Sequence, residues 1–399
     1  MYCTRKLTEQ VWWVGGSDRR LALFENLFPI TRGVSYNSYL ILDEQTAVVD
    51  TVDSSISRQF LENVLHTLDG RPLDYLVINH MEPDHCASIE TLLLRFPTLK
   101  LVGNAKTFAF MGQFYDFPLD GRTVTVKEGD TLSLGGHTLQ FHMTPMVHWP
   151  EVMMTYESSE KLLFSADAFG SFGATGGNLF NDELNFDRLD DARRYYGNIV
   201  GKYGLQVQAA LKKLSGLDIA MICPLHGPIW RSNLDYLLDK YDKWSRYEPE
   251  ERAVAVLYAS MYGDTENAVN LLAAGLADGG VKNIAMHDIS STHVSTLISE
   301  VFRCSHLVLA APTYNNGVYP AMATFLHDMK ALGLQNRTVA LVENGSWAPV
   351  SGKLMREMLG ELKGFQVLEP VVSLKSALKD SSLEPLFQLR DRILDSLNG

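Results

Sequence analysis

The chain has 399 residues, 46% hydrophobic and 21% charged. That excludes a mostly disordered protein and is too long for one ordinary core, so two domains are expected. With 35 basic and 47 acidic residues the net charge is −12, which excludes a general nucleic-acid binder, whose phosphate contacts need a basic face.

The opening "MYCTRKLTEQVWWVGG" has no apolar region leading to a small-residue cleavage site, and no later run approaches the ~20 apolar residues of a membrane span. Cys3, Cys86, Cys223 and Cys304 are scattered and form no CxxC pair. The expectation is a cytoplasmic protein with no membrane partner, no disulfide scaffold and no rubredoxin-type iron centre of its own.

In chain order, "NSYLILDEQTAVVDT" (37–51) reads as two strands around a turn, and "ISRQFLENVLHTL" (56–68) has helical i, i+3, i+4 spacing. The strand "LDYLVIN" runs into "HMEPDHCAS", followed by the helix "ASIETLLLRFP" and the strand "KLVGN". Residues 129–145 alternate like a hairpin turning at Gly135-Gly136. "KLLFSAD" (161–167) and "DIAMICPLHG" (218–227) are strands that end in a carboxylate and a histidine. The charged stretch 237–253, with Pro249, reads as a domain boundary near residue 250. Beyond it, strands at 253–260, 282–290, 306–314, 338–345 and 365–374 alternate with helices, the rhythm of a doubly wound parallel sheet.

Four metal-binding residue types within six positions, His80, Glu82, Asp84 and His85, imply a cation, because neighbouring carboxylates repel unless one offsets them. In an extended loop His80, Glu82 and Asp84 would face one side, with His85 turned off that line. His148, Asp167 and His226, each alone an ordinary core residue or helix cap, would complete two adjacent shells, with Asp167 best suited to bridge. Iron, manganese and zinc all accept such a set, and its carboxylate weight favours a redox-capable diiron pair. The other histidines (66, 137, 142, 287, 293, 306 and 327) have no such company and read as structural or surface residues.

In the second half, "YASMYGDTENA" (258–268) joins a strand to a helix. Ser260 and Thr265 offer hydroxyls, and the backbone of Met261, Tyr262, Gly263, Asp264 and Glu266 can wrap one phosphate such as that of FMN. There is no GxGxxG or GK[ST] for a dinucleotide or triphosphate. Pro312, Thr313, Tyr314, Asn315, Asn316 and Gly317 lie in a second loop, and Asn344, Gly345, Ser346 and Trp347 in a third. Tyr314 and Trp347 suit the faces of a planar isoalloxazine, and the asparagines and glycines suit its edge.

"HMEPDH", followed by His148, Asp167 and His226, resembles the metal motif of the metallo-β-lactamase fold, whose hydrolases generally show H-x-H-x-D-H. Glu82 in place of the second histidine resembles the flavodiiron proteins (A-type flavoproteins). The three later loops are similar, in order, to the flavodoxin-like domain of that family. The resemblance spans roughly residues 30–399. It implies an α/β protein: a metallo-β-lactamase-like αββα sandwich (1–250) followed by a flavodoxin-like doubly wound parallel sheet (251–399), with FMN and two non-haem irons. By the same resemblance His80, Glu82, His148 and bridging Asp167 hold one iron, and Asp84, His85, Asp167 and His226 the other. Tyr195 in "RRYYGN" matches a pocket tyrosine. Where many members carry a pocket histidine this chain has "LFENLFP" (23–29), with Glu25 or Asn26 nearest.

The implied activity is reduction of O2 to water, or of nitric oxide to N2O, by electrons passed from an external donor through FMN. A rubredoxin or a reduced deazaflavin or flavin-reductase system would supply them, to a head-to-tail homodimer or a dimer of such dimers. Two rival readings are a dizinc hydrolase or thioesterase with an attached flavodoxin domain, and an electron carrier whose first domain is structural.

Overall fold

Alternating apolar residues build the first half. The computed structural model describes residues 2–119, 121–184 and 188–399. Seven strands form one sheet in the order Arg5–Lys6, Val11–Trp13, Tyr39–Leu42, Thr46–Val49, Tyr75–Val77, Lys100–Gly103, Thr123–Thr125. A second sheet runs Thr131–Ser133, Thr138–Met143, Met153–Glu157, Leu162–Phe164, Met221–Cys223. Tyr39, Ile41, Ala47, Val49 and Val77 of the first sheet share one core with Phe141, Met153, Leu162, Phe164 and Cys223 of the second. The alternate residues Leu40, Val48 and Leu76 are fully buried outside that cluster, so the first sheet is covered on both faces. Helix Ser57–Leu68 buries Phe60, Val64 and Leu68 at i, i+4, i+8 and packs against strand Tyr39–Leu42. This is the expected sandwich.

In the second half the runs "VAVLY", "LVLAA" and "VALV" are apolar throughout, as strands buried on both faces must be. The parallel order is Ala285–Asp288, Glu251–Tyr258, Cys304–Tyr314, Thr338–Asn344, Gln366–Val367. In chain order that is 2-1-3-4-5, the flavodoxin-like arrangement, whose ligands lie beyond the carboxyl ends where strand order reverses. The expected strand 365–374 is two pieces, Gln366–Val367 and Val372–Leu374, because Pro370 has no N–H for the ladder.

The chain forms two compact units, one running to Tyr196 and including Leu205–Asp242, the other comprising Gly197–Gly204 and Lys243–Gly399. The first part of the charged stretch 237–253 is helix Leu234–Ser245, which buries Leu237, Tyr241 and Trp244 at i, i+4, i+7. Charge on its outer face hides that spacing. No helix among the described residues is long and apolar enough to cross a membrane.

Arg337, 2% exposed, ties the second unit together by donating to the carbonyls of Val301, Tyr247, Gln335, Asn336 and Phe302. Arg337→Met strips these acceptors of their donor. It should destabilise this unit by about 3–5 kcal/mol, as losing one side of a buried charged network does. Denaturant melts that separate the two units should show the first unit's transition unmoved.

Candidate metal centre and cofactor cradle

The segment after strand Tyr75–Val77 is fixed from behind. Asp50, held at φ 53°, accepts the backbone N–H groups of Asn79 (2.7 Å) and His80 (3.2 Å). Glu82 is extended, and Pro83 then opens the short helix Pro83–Cys86. The expected extended line therefore stops at Glu82. Proline's fixed φ starts a helical turn instead, which carries Asp84 and His85 into a second group. His148 follows a cis Val147–His148 peptide in the loop before Met153–Glu157. Asp167 and His226 follow Leu162–Phe164 and Met221–Cys223. All seven side chains converge at the strand ends of one unit.

They divide into His80, Glu82, His148 and Asp167, and Asp84, His85 and His226. In the first, Glu82 Oε2 lies 3.1 Å from Nε2 of both His80 and His148, and Asp167 Oδ2 lies 3.3 and 3.1 Å from the same nitrogens. In the second, His85 Nε2 is 3.3 Å from Asp84 Oδ1 and 3.2 Å from Asp167 Oδ1. His226 Nε2 is 3.3 Å from Asp84 Oδ2 and 3.5 Å from Asp167 Oδ1. Asp167 thus presents one oxygen to each group. Ligands on a shared cation with bonds of about 2.0–2.2 Å stand at about this spacing.

The donor set fits a pair of cations on two further grounds. Asp84 Oδ1, His85 Nε2, Asp167 Oδ1 and His226 Nε2 are buried without a hydrogen-bond partner. Burial lowers the proton affinity of His80, but its hydrogen bonds to the carboxylates of Asp167, Glu151 and Glu82 more than reverse this and hold the imidazole well above its usual value. Burial raises Glu82, yet His148 and His80 bring it down to about 2. A field this negative around imidazoles attracts any cation that can replace their protons.

Glu151 was missed from sequence. Fully buried, its Oε1 accepts from His80 Nδ1 (2.7 Å) and the Met81 N–H (3.0 Å), which leaves His80 Nε2 facing Glu82 and Asp167. Its only signal is an acidic residue three positions after His148. His226 is fixed in the same way, donating Nδ1–H to the Ser35 carbonyl at 2.9 Å. The Tyr241 hydroxyl accepts the Phe169 N–H and braces the Asp167 loop.

Phe24, Phe172 and Tyr195 wall the second group, with Phe24 edge-on to His226 at 5.2 Å and the Tyr195 ring 5.5 Å from it. Burial and the carboxylates Asp167, Asp84 and Glu82 keep the Tyr195 hydroxyl protonated. Glu25 occupies the turn of a separate hairpin, Leu23–Phe24 with Phe28–Pro29, at φ 51°. Although the residue is partly open to solvent, desolvation of its carboxyl and repulsion by Glu82, Asp84 and Asp167 push it up to about 7. Glu25 therefore lies within the field of the site.

In the second unit a cavity of about 630 Å³ opens beyond the carboxyl ends of the parallel strands. Fourteen of the seventeen expected cofactor residues line it; Gly263, Glu266 and Gly317 do not. Two of these shape the cradle from behind. The N–H groups of Gly263 and Glu266 donate to Ser260 Oγ (3.1 and 3.3 Å), and Gly263 starts helix Asp264–Asp278 at φ 91°, where a side chain would be strained. Gly317 belongs to a short strand pairing with Thr313 and Tyr314. Ala348 and Ser376 also line the cavity and were not foreseen. Ser376 comes from a loop with no glycine or aromatic signal, brought in by mutual hydrogen bonds with Asn344 (2.9 Å each). Tyr262 and Trp347 are 92% and 89% exposed at the rim, apolar faces that a planar ring would cover. Among the described residues Asp264 is the only charged one lining the cavity, and it suits a hydroxyl or N–H rather than a phosphate oxygen.

Residues 34–227 match the ODP family beta lactamase description, and 256–388 match flavodoxin. The anaerobic nitric oxide reductase flavorubredoxin of Pectobacterium atrosepticum is 32% identical over 355 residues, covering 86% of this chain and 68% of that one. A solved structure, rubredoxin oxygen:oxidoreductase from Desulfovibrio gigas, aligns over 99% of both chains with TM-score 0.90 and 29% identity. The flavodiiron protein from Giardia intestinalis aligns over 100% of this chain and 97% of its own, with TM-score 0.90 and 25% identity. The chain belongs to the flavodiiron protein family. It is an oxidoreductase with a metallo-β-lactamase-like and a flavodoxin-like domain.

For this flavodiiron chain the support behind the ligands is open to test. Glu151→Gln keeps the size of the side chain but removes the negative charge that orients His80. Metal affinity should fall about 10–100-fold, as for other partners behind a ligating histidine. Competition with a chelator measures it, and unchanged affinity would show that His80 needs no such partner.

Proposed function

We propose that this flavodiiron protein is an oxygen reductase holding FMN and two non-haem irons, with O2 its principal substrate and nitric oxide the lesser one. Supporting this reading, the chain aligns over 99% of both chains with a rubredoxin oxygen:oxidoreductase. His80, Glu82 and His148 would hold one iron, Asp84, His85 and His226 the other, and Asp167 both. Ser260, Thr265 and the start of helix Asp264–Asp278 would receive the FMN phosphate, with Tyr314 and Trp347 against the ring. When bound, the irons supply two adjacent redox-active cations for a diatomic gas, and FMN converts donor traffic to single-electron steps.

The chain's own residues govern protons and access. Reduction of O2 to two waters takes four electrons and four protons; reduction of two NO to N2O and water takes two of each. Glu25, able to hold or release a proton near neutral pH, is placed to relay them, and Tyr195 offers a protonated hydroxyl from the pocket wall. Phe24 and Phe172 exclude water beside them. The donor in this reading is external, a rubredoxin or a reduced flavin or deazaflavin system. The working form is a head-to-tail homodimer in which one subunit's FMN serves its partner's irons.

Metal and flavin analysis of protein expressed under iron-replete, anaerobic conditions should give about two irons and one FMN per chain. Two zincs without iron would favour the hydrolase reading instead. Glu25→Gln, which cannot relay a proton, should lower kcat/KM for O2 by about 10²-fold, the low end for general acid–base groups, with iron and FMN content retained. Steady-state consumption of each gas under saturating reduced donor decides the substrate. A wild-type enzyme faster on NO than on O2 would reverse the assignment.

A further inference from the structure

A second group of metal-binding side chains lies at the opposite end of the sandwich. His148 precedes strand Met153–Glu157, whereas Glu157 ends it, and the turn that follows carries Glu160. His137 closes the Gly135-Gly136 turn of the neighbouring hairpin. One donor atom each from His137, Glu157 and Glu160 lie within 4.8 Å of one another. The sequence reading took His137 as isolated, because its partners come from turns 20 or more residues away.

Three features set this group apart from an ordinary surface ion pair. His137 is 3% exposed, and its Nδ1 and backbone N–H both meet Asp43 Oδ2, at 2.8 and 2.6 Å. Nε2 is thereby turned toward Glu160, 3.7 Å from its Oε2 and beyond a hydrogen bond. Glu157 is 0% exposed. Its two oxygens accept only the N–H groups of Ser159 (2.8 Å) and Glu160 (2.7 Å), and no lysine or arginine among the described residues pairs with it. Glu160 Oε2 also accepts from Thr8 Oγ1 at 2.6 Å. A protonated His137 shared between Asp43 and Glu160 would leave the buried Glu157 carboxylate without a cation in contact, a costly arrangement. Asp43 reaches His137 because the turn is glycine: a Cβ on Gly135 would stand 2.7 Å from Glu44 Cγ and 2.9 Å from Asp43 Oδ1.

The geometry points to a third metal site, in which His137 Nε2, Glu157 and Glu160 hold a divalent ion of the zinc class and solvent completes its shell. Carboxylate–histidine–metal relays have this form, Asp43 fixing the tautomer and ring orientation of the ligand. One imidazole and two carboxylates suit zinc, manganese or cobalt rather than a thiolate-seeking ion. Tetrahedral ligands on bonds of about 2.0–2.1 Å stand roughly 3.4 Å apart, so the 3.7 Å pair needs to close only slightly. The ion would clamp three turns, at 43–45, 134–137 and 157–161, at the end of the strands away from the paired clusters. Its role would be structural.

The probe is zinc added to the iron-loaded, FMN-loaded protein, with uptake counted after dialysis and located by anomalous scattering in soaked crystals. One zinc per chain beyond the irons, between His137, Glu157 and Glu160, is the expected result. Glu160→Gln and His137→Ala should each abolish that uptake and its rise in melting temperature, with iron content and O2 turnover unchanged. Asp43→Asn should weaken it about 10–100-fold. Glu160→Gln decides alone if His137→Ala fails to fold, since among the described residues the Glu160 side chain hydrogen-bonds only Thr8. No zinc uptake at millimolar metal, zinc found only elsewhere, or uptake unaffected by Glu160→Gln would overturn the site.

Discussion

Asp84 and Asp167 both face His85 and His226, and Asp167 turns its second oxygen to His80 and His148. Carboxylates set this close in a largely closed space cannot stay ionised without positive charge between them. Much of the first unit's architecture follows from that constraint. Three strand ends and the loop before a fourth strand converge on it. Asp50, Glu151 and the Ser35 carbonyl hold the backbone and ring nitrogens so that the free lone pairs point inward. A rigid sandwich makes this feasible, because its core fixes the strands before any ion arrives.

The two units solve different problems with the same geometry. Each places polar chemistry beyond the ends of buried strands, where a backbone can stop satisfying itself and offer groups to a ligand. In the first, side chains crowd inward around multivalent charge. In the second, the open mouth of a parallel sheet offers backbone, hydroxyls and aromatic faces to something large and flat.

Much of this was legible in the sequence, because strand patterns and the motif at 79–88 are local. The Gly135-Gly136 hairpin, the strands at 39–42 and 46–49, and the alternation after residue 250 follow directly from side-chain period. What escaped is what depends on distant partners. Glu151, Ser376 and His137 gain their meaning from residues tens of positions away. Helix Leu234–Ser245 was hidden because its outward charges dominate the composition while its three buried residues sit one or two turns apart. Pro83 shows a local rule overlooked: a proline at the first position of a turn starts a helix, and the turn, not the strand, decides which ion group Asp84 joins.

The hairpin that carries Glu25 pairs only with itself, belonging to neither large sheet. Its ends are tied by the Ile30 N–H to the Ala22 carbonyl and by Arg194 to the Pro29 carbonyl, and Leu23 and Leu27 stand open to solvent. None of the seven clustered ligands comes from it. A different tip could therefore be grafted between Phe24 and Phe28, both buried, without shifting a sheet register or the wall that Phe24 forms against His226. The loop that brings Glu25 into the field of the paired clusters is in effect an interchangeable part, whose few exposed residues can be rewritten while the sandwich behind them stays as it is.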